Sequence, residues 1–556
     1  MSDRPWLKLY PQGLPADLPP LEDASLVALF ARISREFAEA PALVNLGTVL
    51  RYRDLYRLSL RFAHSLRRFG LEKGERLAIM LPNLLQTPVV LIGALRAGLT
   101  VINVNPLFTA RELAQELKDA EASGIVVLAN FGRVLEQACT QYRLRLKHIF
   151  VTEVGDLCPP FKRRLVNWTV RYLKRQVPPF RLPITASLRQ ALEEGQETPL
   201  HVPLEPNDLA FLQYTGGTTG TPKGAMLSHA NLLANIEQAR LWLTCKGFRK
   251  RLEPGRERVV TALPLYHIFA LTANLWVGMS LGACNRLVSD PRDLPGLIQT
   301  LREFRPSVIT GVNTLFSHLL ATPSFAKLDF TALKLTLAGG MATQKAVAER
   351  WQKLTGCPVL EGYGLTEASP VVTLNPLDCD TFTGSIGLPL PGTECRIVDD
   401  GRTLPPGEIG ELCVRGPQVM RGYWKKPEET QAVLDAEGWL RTGDIAKMDE
   451  RGFFYLVDRK KDLILVSGFN VYPSEIEEVV SAHPKVKECA ALGVPDPHTG
   501  EAVKLVVVKA DPSLSAEEIQ AWCRANLTAY KRPHWIEFRA ELPKSAVGKV
   551  LRRQLR

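Results

Sequence analysis

No two of the ten cysteines form a C-x-x-C pair or any tighter cluster, so neither a disulfide framework nor a zinc ribbon is encoded, and the usage is that of a reducing compartment. The histidines include no H-E-x-x-H, which removes the commonest helix-borne zinc site. The amino end lacks the unbroken apolar core of an export signal, because Asp3, Lys8, Asp17 and several prolines interrupt it. No export is expected, and a cytoplasmic location follows. The longest apolar stretch, Leu77 to Val104, is broken by Pro82, Gly93 and Arg96, so it reads as strand, helix and strand of a buried core rather than one bilayer span. Charge of one sign is only modestly in excess: 69 basic against 58 acidic side chains leave +11, which favours anionic ligands or an anionic surface. Helix-turn-helix spacing, zinc-finger spacing and aromatic-basic interleaving are all missing, so nucleic acid is not the expected partner.

One segment lacks acid altogether. Between Leu157 and Leu192 no Asp or Glu occurs, while Lys162, Arg163, Arg164, Arg171, Lys174, Arg175, Arg181 and Arg189 accumulate. Phe161, Leu165, Trp168 and Tyr172 recur there at helical spacing. Such a helix either packs its stripe on its own domain or lies peripherally on an anionic inner-membrane leaflet, and the spacing alone leaves both open.

What is present is an ordinary globular balance, 46% hydrophobic and 23% charged over 556 residues, enough for a large core and several folding units. Apolar runs alternate with amphipathic segments: Arg76 to Leu81, Gln86 to Arg96, Val101 to Val104, Ala110 to Ala120 and Gly124 to Ala129. That rhythm predicts a parallel sheet with crossover helices. It resumes after Asp208 with a strand at Leu209 to Tyr214, a glycine-rich loop, a helix at Asn231 to Leu241 and a strand at Arg258 to Leu263. From Gly384 onward, turn pairs such as Pro391-Gly392 and Pro406-Gly407 separate short strands, which predicts a small β lobe. The charged run Asp458 to Asp462 is poor in apolar anchors and is a candidate hinge. The expected fold is therefore α/β, with two α/β subdomains and a β lobe over residues 1–460 and a mobile α+β domain over 461–556.

The loop Tyr214-Thr215-Gly216-Gly217-Thr218-Thr219-Gly220-Thr221-Pro222-Lys223-Gly224 carries the chemistry. Its glycines let backbone N–H groups converge, its threonines add hydroxyl donors, and Lys223 adds a mobile cation, which together suit phosphate. It is not a Walker A loop, because Gly224 follows the lysine where Ser or Thr would bind magnesium.

Four further motifs follow: Glu361-Gly362-Tyr363-Gly364-Leu365-Thr366-Glu367, Arg441-Thr442-Gly443-Asp444, Asp458 to Glu477, and Pro543-Lys544-Ser545 with Gly548-Lys549. In this order they resemble the adenylate-forming superfamily of acyl-CoA synthetases, luciferases and peptide-synthetase adenylation domains, over nearly the whole chain. The run Glu437-Gly438-Trp439 through Lys461, with Leu263 to Ala270 and Val466 to Pro473, is similar to bacterial long-chain fatty acyl-CoA synthetases rather than to amino-acid-activating domains.

The resemblance implies ATP-dependent activation of a fatty acid through an acyl-adenylate, with AMP and pyrophosphate released and coenzyme A as co-substrate. It implies that Thr215 to Lys223 hold the phosphates, that Glu367 and Thr218 hold Mg2+, that Tyr363 and Gly364 face adenine, and that Thr366 meets the α-phosphate. Asp444 and Arg459 would bind ribose, with Gly339 and Gly340 leaving room beside adenine and the acyl head. Lys549 would bridge carboxylate and α-phosphate, after which the last domain would swing about Lys461 and bring Gly468 to the pantetheine path. His267 is either a core histidine or a neighbour of the substrate carboxylate, and the motif favours the second. The apolar tail would enter between Phe269 to Trp276 and Thr310 to Phe316. A homodimer is compatible with the resemblance. The rivals are a medium-chain, short-chain or aryl-CoA synthetase, an acyl-AMP ligase serving a carrier protein, a silent lipid-binding scaffold, and a P-loop ATPase that would yield ADP.

Overall fold

The computed structural model describes residues 4–215, 222–467, 469–545, 548 and 550–555. Among these residues the strands form four sheets. The apolar alternation of the first block becomes a seven-stranded sheet in which Arg76–Met80, Thr100–Asn103, Gly124–Leu128 and His148–Thr152 run parallel, as crossover helices require. The longest apolar stretch is strand, helix and strand, as its breaks predicted, and Gln86–Arg96 is buried at every position. No helix among the described residues is long and apolar enough to cross a membrane.

Leu209–Thr215 extends this sheet beside Thr100–Asn103, and the glycine-rich loop then returns into an antiparallel strand, Lys223–Ser228. The sequence pattern had placed a helix next after the loop. The return strand intervenes because Ala225 and Leu227 bury one face of it, and the helix His229–Thr244 starts only where Ser228 and Asn231 exchange capping bonds.

A nine-stranded sheet takes the second block, with Cys284–Leu287, Arg258–Thr261, Val308–Gly311, Leu335–Ala338 and Val359–Gly364 as neighbouring parallel strands. Antiparallel strands Val371–Leu374 and Leu388–Pro389 finish one edge. The β lobe is a five-stranded antiparallel sheet from Glu394–Asp399 to Phe454–Arg459. One continuous apolar core joins this lobe to both large sheets. Residues from Ile464 onward build a separate sheet around Val486–Asp496 and Gly500–Lys509, with apolar clusters of their own.

Candidate active site

Where the parallel strands of the nine-stranded sheet end, their carboxyl termini open into a cavity of about 1200 Å³ bounded by the seven-stranded sheet, the β lobe and the carboxyl-terminal tail. Tyr363, next to last in the strand Val359–Gly364, is buried and donates its hydroxyl to Asp444 Oδ2 at 2.6 Å. Asp444 Oδ1 faces Arg459 Nε at 3.2 Å, because the two residues sit opposite one another in the antiparallel pair Leu440–Met448 and Phe454–Arg459. Burial, then the Asp444 charge, hold the Tyr363 phenol far above its ordinary titration range. The result is a flat ring beside a paired carboxylate at one wall of the cavity.

Thr215 and Lys223 are register partners at the two ends of the glycine-rich loop. Lys223 forms an ion pair with Glu429 and lies 5.4 Å from the centre of the Tyr423 ring. Tyr423 donates its hydroxyl to Glu367 Oε1 at 2.7 Å, while the Glu367 backbone carbonyl accepts from Met420 at 2.7 Å. Cation, aromatic ring and carboxylate thus form one wall. Tyr214 turns away from this wall and donates to Asp119 Oδ2 at 2.6 Å. Gly364 leaves room for the strand Val371–Leu374: a Cβ there would stand 2.2 Å from the Pro370 carbonyl oxygen.

His267 lines the cavity, and its Nδ1 accepts from the Phe269 backbone N–H at 3.3 Å, so the neutral ring carries its proton on Nε2. Gly339 sits where a Cβ would press on the Phe269 ring at 3.1 Å. Gly340 has open space around it but a φ of +78°, a conformation that favours glycine. Glu361, behind this loop, accepts from the Thr343 N–H at 2.8 Å, and burial pushes its carboxyl up to about 7. Lys544, Ser545 and Leu551 of the tail also line the cavity, and a Cβ on Gly548 would stand 2.5 Å from Thr314 Oγ1. The tail therefore touches the large domain at the mouth.

The structure brings together Tyr214, Thr215, Lys223, His267, Gly339, Gly340, Tyr363, Gly364, Thr366, Glu367, Asp444, Arg459 and Lys461 around one space. Gly216, Gly217, Thr218, Thr219, Gly220, Gly468 and Lys549 lie outside the described residues. Of the tail walls expected from sequence, Phe269, Ala273, Thr310 and Val312 line the cavity, and so does Val277 one residue beyond them. Phe316 does not, because its ring packs 4.7 Å from Trp351 in a different core cluster. Sequence reasoning missed Tyr423, Glu429 and Glu411. Glu411 accepts from the Gly443 N–H at 3.2 Å and faces Lys460 Nζ at 3.2 Å, so it braces the turn that carries Asp444. Its signal was an acid at a buried position of a strand, which only a partner explains.

A family model described as AMP-binding enzyme matches residues 30–424, and a second, AMP-binding enzyme C-terminal domain, matches residues 475–549. The chain belongs to the AMP-binding enzyme family. It is 53% identical over 554 residues to a long-chain-fatty-acid–CoA ligase of Escherichia coli O6:H1, covering 99% of this chain and 97% of that one. Among solved structures of the family, an anthranilate CoA ligase in complex with anthranoyl-AMP superimposes with TM-score 0.84 at 25% identity, over 97% of both chains. ATP-bound MatB from Rhodopseudomonas palustris does so with TM-score 0.81 at 28% identity, over 95% of this chain and 98% of that one.

Proposed function

We infer that the chain is a long-chain fatty acid CoA ligase, an AMP-forming enzyme that activates a carboxylate through an acyl-adenylate. The observation that carries this reading is full-length similarity to such ligases together with one cavity that is polar at the Tyr363–Asp444 end and apolar toward Val277 and Leu335. A carboxylate is a poor electrophile, so its oxygen is first joined to the α-phosphorus of ATP as pyrophosphate leaves; the thiol of CoA then attacks the acyl carbon and AMP departs.

Each side chain has a matching task. Asp444 accepts from the ribose hydroxyls, Arg459 steadies that carboxylate, and Tyr363 offers its ring face to adenine. Lys223, once released from Glu429, meets phosphate, and Thr366 donates to the α-phosphate. Among the described residues no group of three potential metal ligands exists. A lone carboxylate such as Glu367 fits Mg2+ that takes its remaining ligands from phosphates, water and Thr218, and the ion would offset phosphate charge. His267 Nε2–H is a donor for the acid's oxygen. Lys549 bridges the reacting anions, and rotation about Lys461 then removes it, so that Gly468 lines the path of the thiol. Purified enzyme with ATP, magnesium, CoA and palmitate should release AMP in proportion to palmitate. Release of ADP, or none with any fatty acid, refutes the reading.

A second observation favours membrane contact. No residue of Pro160–Trp168 or Thr169–Leu173 is buried. Asn167 and Arg171 tether this helix through Gly155, Asp156 and Glu153, leaving Phe161, Leu165, Trp168, Tyr172 and Leu173 exposed. The alternative of a stripe packed on its own domain does not hold. Apolar side chains flanked by Arg164, Lys174 and Arg175 suit an anionic leaflet from which a lipid-soluble substrate would arrive. Replacing Phe161 and Trp168 by serine, with Arg163, Arg164, Lys174 and Arg175 reversed to glutamate, should abolish cosedimentation with phosphatidylglycerol vesicles while palmitate-dependent AMP release in detergent persists. Unchanged cosedimentation rejects this surface.

A further inference from the structure

We propose that the apolar arm of the cavity ends on a polar latch, Glu257, Ser307 and Lys334, and that this latch sets the longest acyl tail the enzyme accepts. The proposal rests on the fatty-acyl reading above and assigns its upper chain-length limit to named residues.

The arm runs down the face of the nine-stranded sheet from the carboxyl ends of the strands toward their amino ends. Parallel register fixes its geometry: Val259 pairs with Val308, and Val308 with Leu335, so these three form a rung across adjacent strands, and all three line the cavity. Gly339, at the reacting end, is four residues beyond Leu335 on the same chain segment. Four residues at about 3.3 Å each span about 13 Å. A zigzag of 1.5 Å bonds at about 111° advances about 1.25 Å per carbon, so roughly ten carbons reach the rung.

Beyond the rung the chemistry changes. Glu257 lies just before the first strand, Ser307 immediately before the second and Lys334 immediately before the third. Glu257 Oε2 accepts from Ser307 Oγ at 2.5 Å, and Oε1 accepts from Lys334 Nζ at 2.9 Å and from the Glu253 N–H at 2.8 Å. The Glu257 side chain is completely buried, whereas that of Lys334 is 40% exposed. The latch therefore reaches from the end of the arm to solvent. In front of it, Leu252 and Leu281 anchor the covering loop through a 2.7 Å bond from Leu252 N to the Leu243 carbonyl and another from Gly255 N to the Leu281 carbonyl.

A hydrocarbon terminus can push aside a leucine rotamer. It cannot replace donors to a buried carboxylate, since that would leave a charge unpaired in an apolar surround. Such a floor yields a sharp upper limit, where a floor of leucines alone would yield a gradual one. A single methylene beyond or short of a fitted pocket shifts kcat/KM by roughly 10- to 200-fold, so the limit is measurable.

The test is kcat/KM for saturated acids from octanoate to docosanoate, read as AMP release. Glu257→Ala combined with Lys334→Ala removes both charges and opens the floor. At least a tenfold gain is expected for the longest acids that wild type rejects, with decanoate unchanged within twofold. Val308→Phe fills the rung and should cost palmitate at least tenfold while octanoate is retained. Should the double variant not fold, as judged by its melting curve, Glu257→Gln with Lys334→Met, which removes both charges at nearly constant volume, decides in its place, and palmitate turnover unaffected by Val308→Phe overturns the arm itself. Chain-length profiles that superimpose on wild type, with decanoate turnover intact, overturn the latch. Absence of AMP release by wild type with every acid refutes the parent reading instead.

Discussion

Replacing Asp444 by asparagine preserves the side chain's shape and removes its charge, which isolates the contribution of one carboxylate to nucleotide binding. The Asp444 side chain is 10% exposed, receives the Tyr363 hydroxyl at 2.6 Å and faces Arg459 at 3.2 Å. Hydrogen bonds to a charged acceptor are each worth about 1.5–3 kcal/mol. The amide keeps one acceptor oxygen and loses the other, so one ribose contact of two disappears, a loss of about 2 kcal/mol and about 30-fold in KM for ATP. Asp444→Ala removes both contacts and should cost on the order of 1000-fold. Arg459 loses its partner in either variant, but at 37% exposure water solvates it and little further penalty follows. Fatty-acid-dependent exchange of pyrophosphate into ATP, measured against ATP concentration, reads this step without the thiol. KM for the fatty acid should stay put. An ATP KM within threefold of wild type in both variants, with exchange retained, would refute the ribose assignment.

Glu116 is fully buried on Ala110–Asp119 with one oxygen unpartnered, and burial reinforced by Asp119 and Glu112 pushes its carboxyl from the ordinary 4.5 up to about 8. Between those values the unfolded chain releases the proton and the native state keeps it, so stability falls as pH rises, by up to about 5 kcal/mol. Glu116→Gln should melt with wild type at pH 4.5 and several degrees above it at pH 9; equal melting at pH 9 rejects the argument. Lys461→Pro should arrest the last domain in one orientation, so that one of pyrophosphate exchange and thioester formation from supplied acyl-adenylate is lost at least tenfold while the other survives; normal rates for both would displace the hinge. Lys549→Ala should abolish adenylation and spare thioester formation, and equal loss of both contradicts its bridging role.

Much of the architecture was legible because periodicity is a local property. The strands at Arg76, Thr100 and Gly124, and the helices Gln86–Arg96 and Ala110–Asp119, fall where apolar spacing predicted them. The return strand Lys223–Ser228 was hidden because six residues flanked by turn chemistry carry too few alternations to register. Glu411 and Tyr423 were missed for a related reason: each acts through a partner distant in sequence, and spacing carries no trace of it.

By itself the sequence determined the motif order, the family's chemistry and the layered α/β plan, since each follows from residue type and short-range pattern. Only the tertiary structure decided that Asp444 stands opposite Arg459, that Glu257, Ser307 and Lys334 meet at the foot of three parallel strands, and that the stripe from Phe161 to Tyr172 faces outward. The physical reason is register. Which residues face one another across strands, and which helix face is left uncovered, depends on how distant segments align, and that alignment minimises the energy of the whole packed core rather than of any window of the chain.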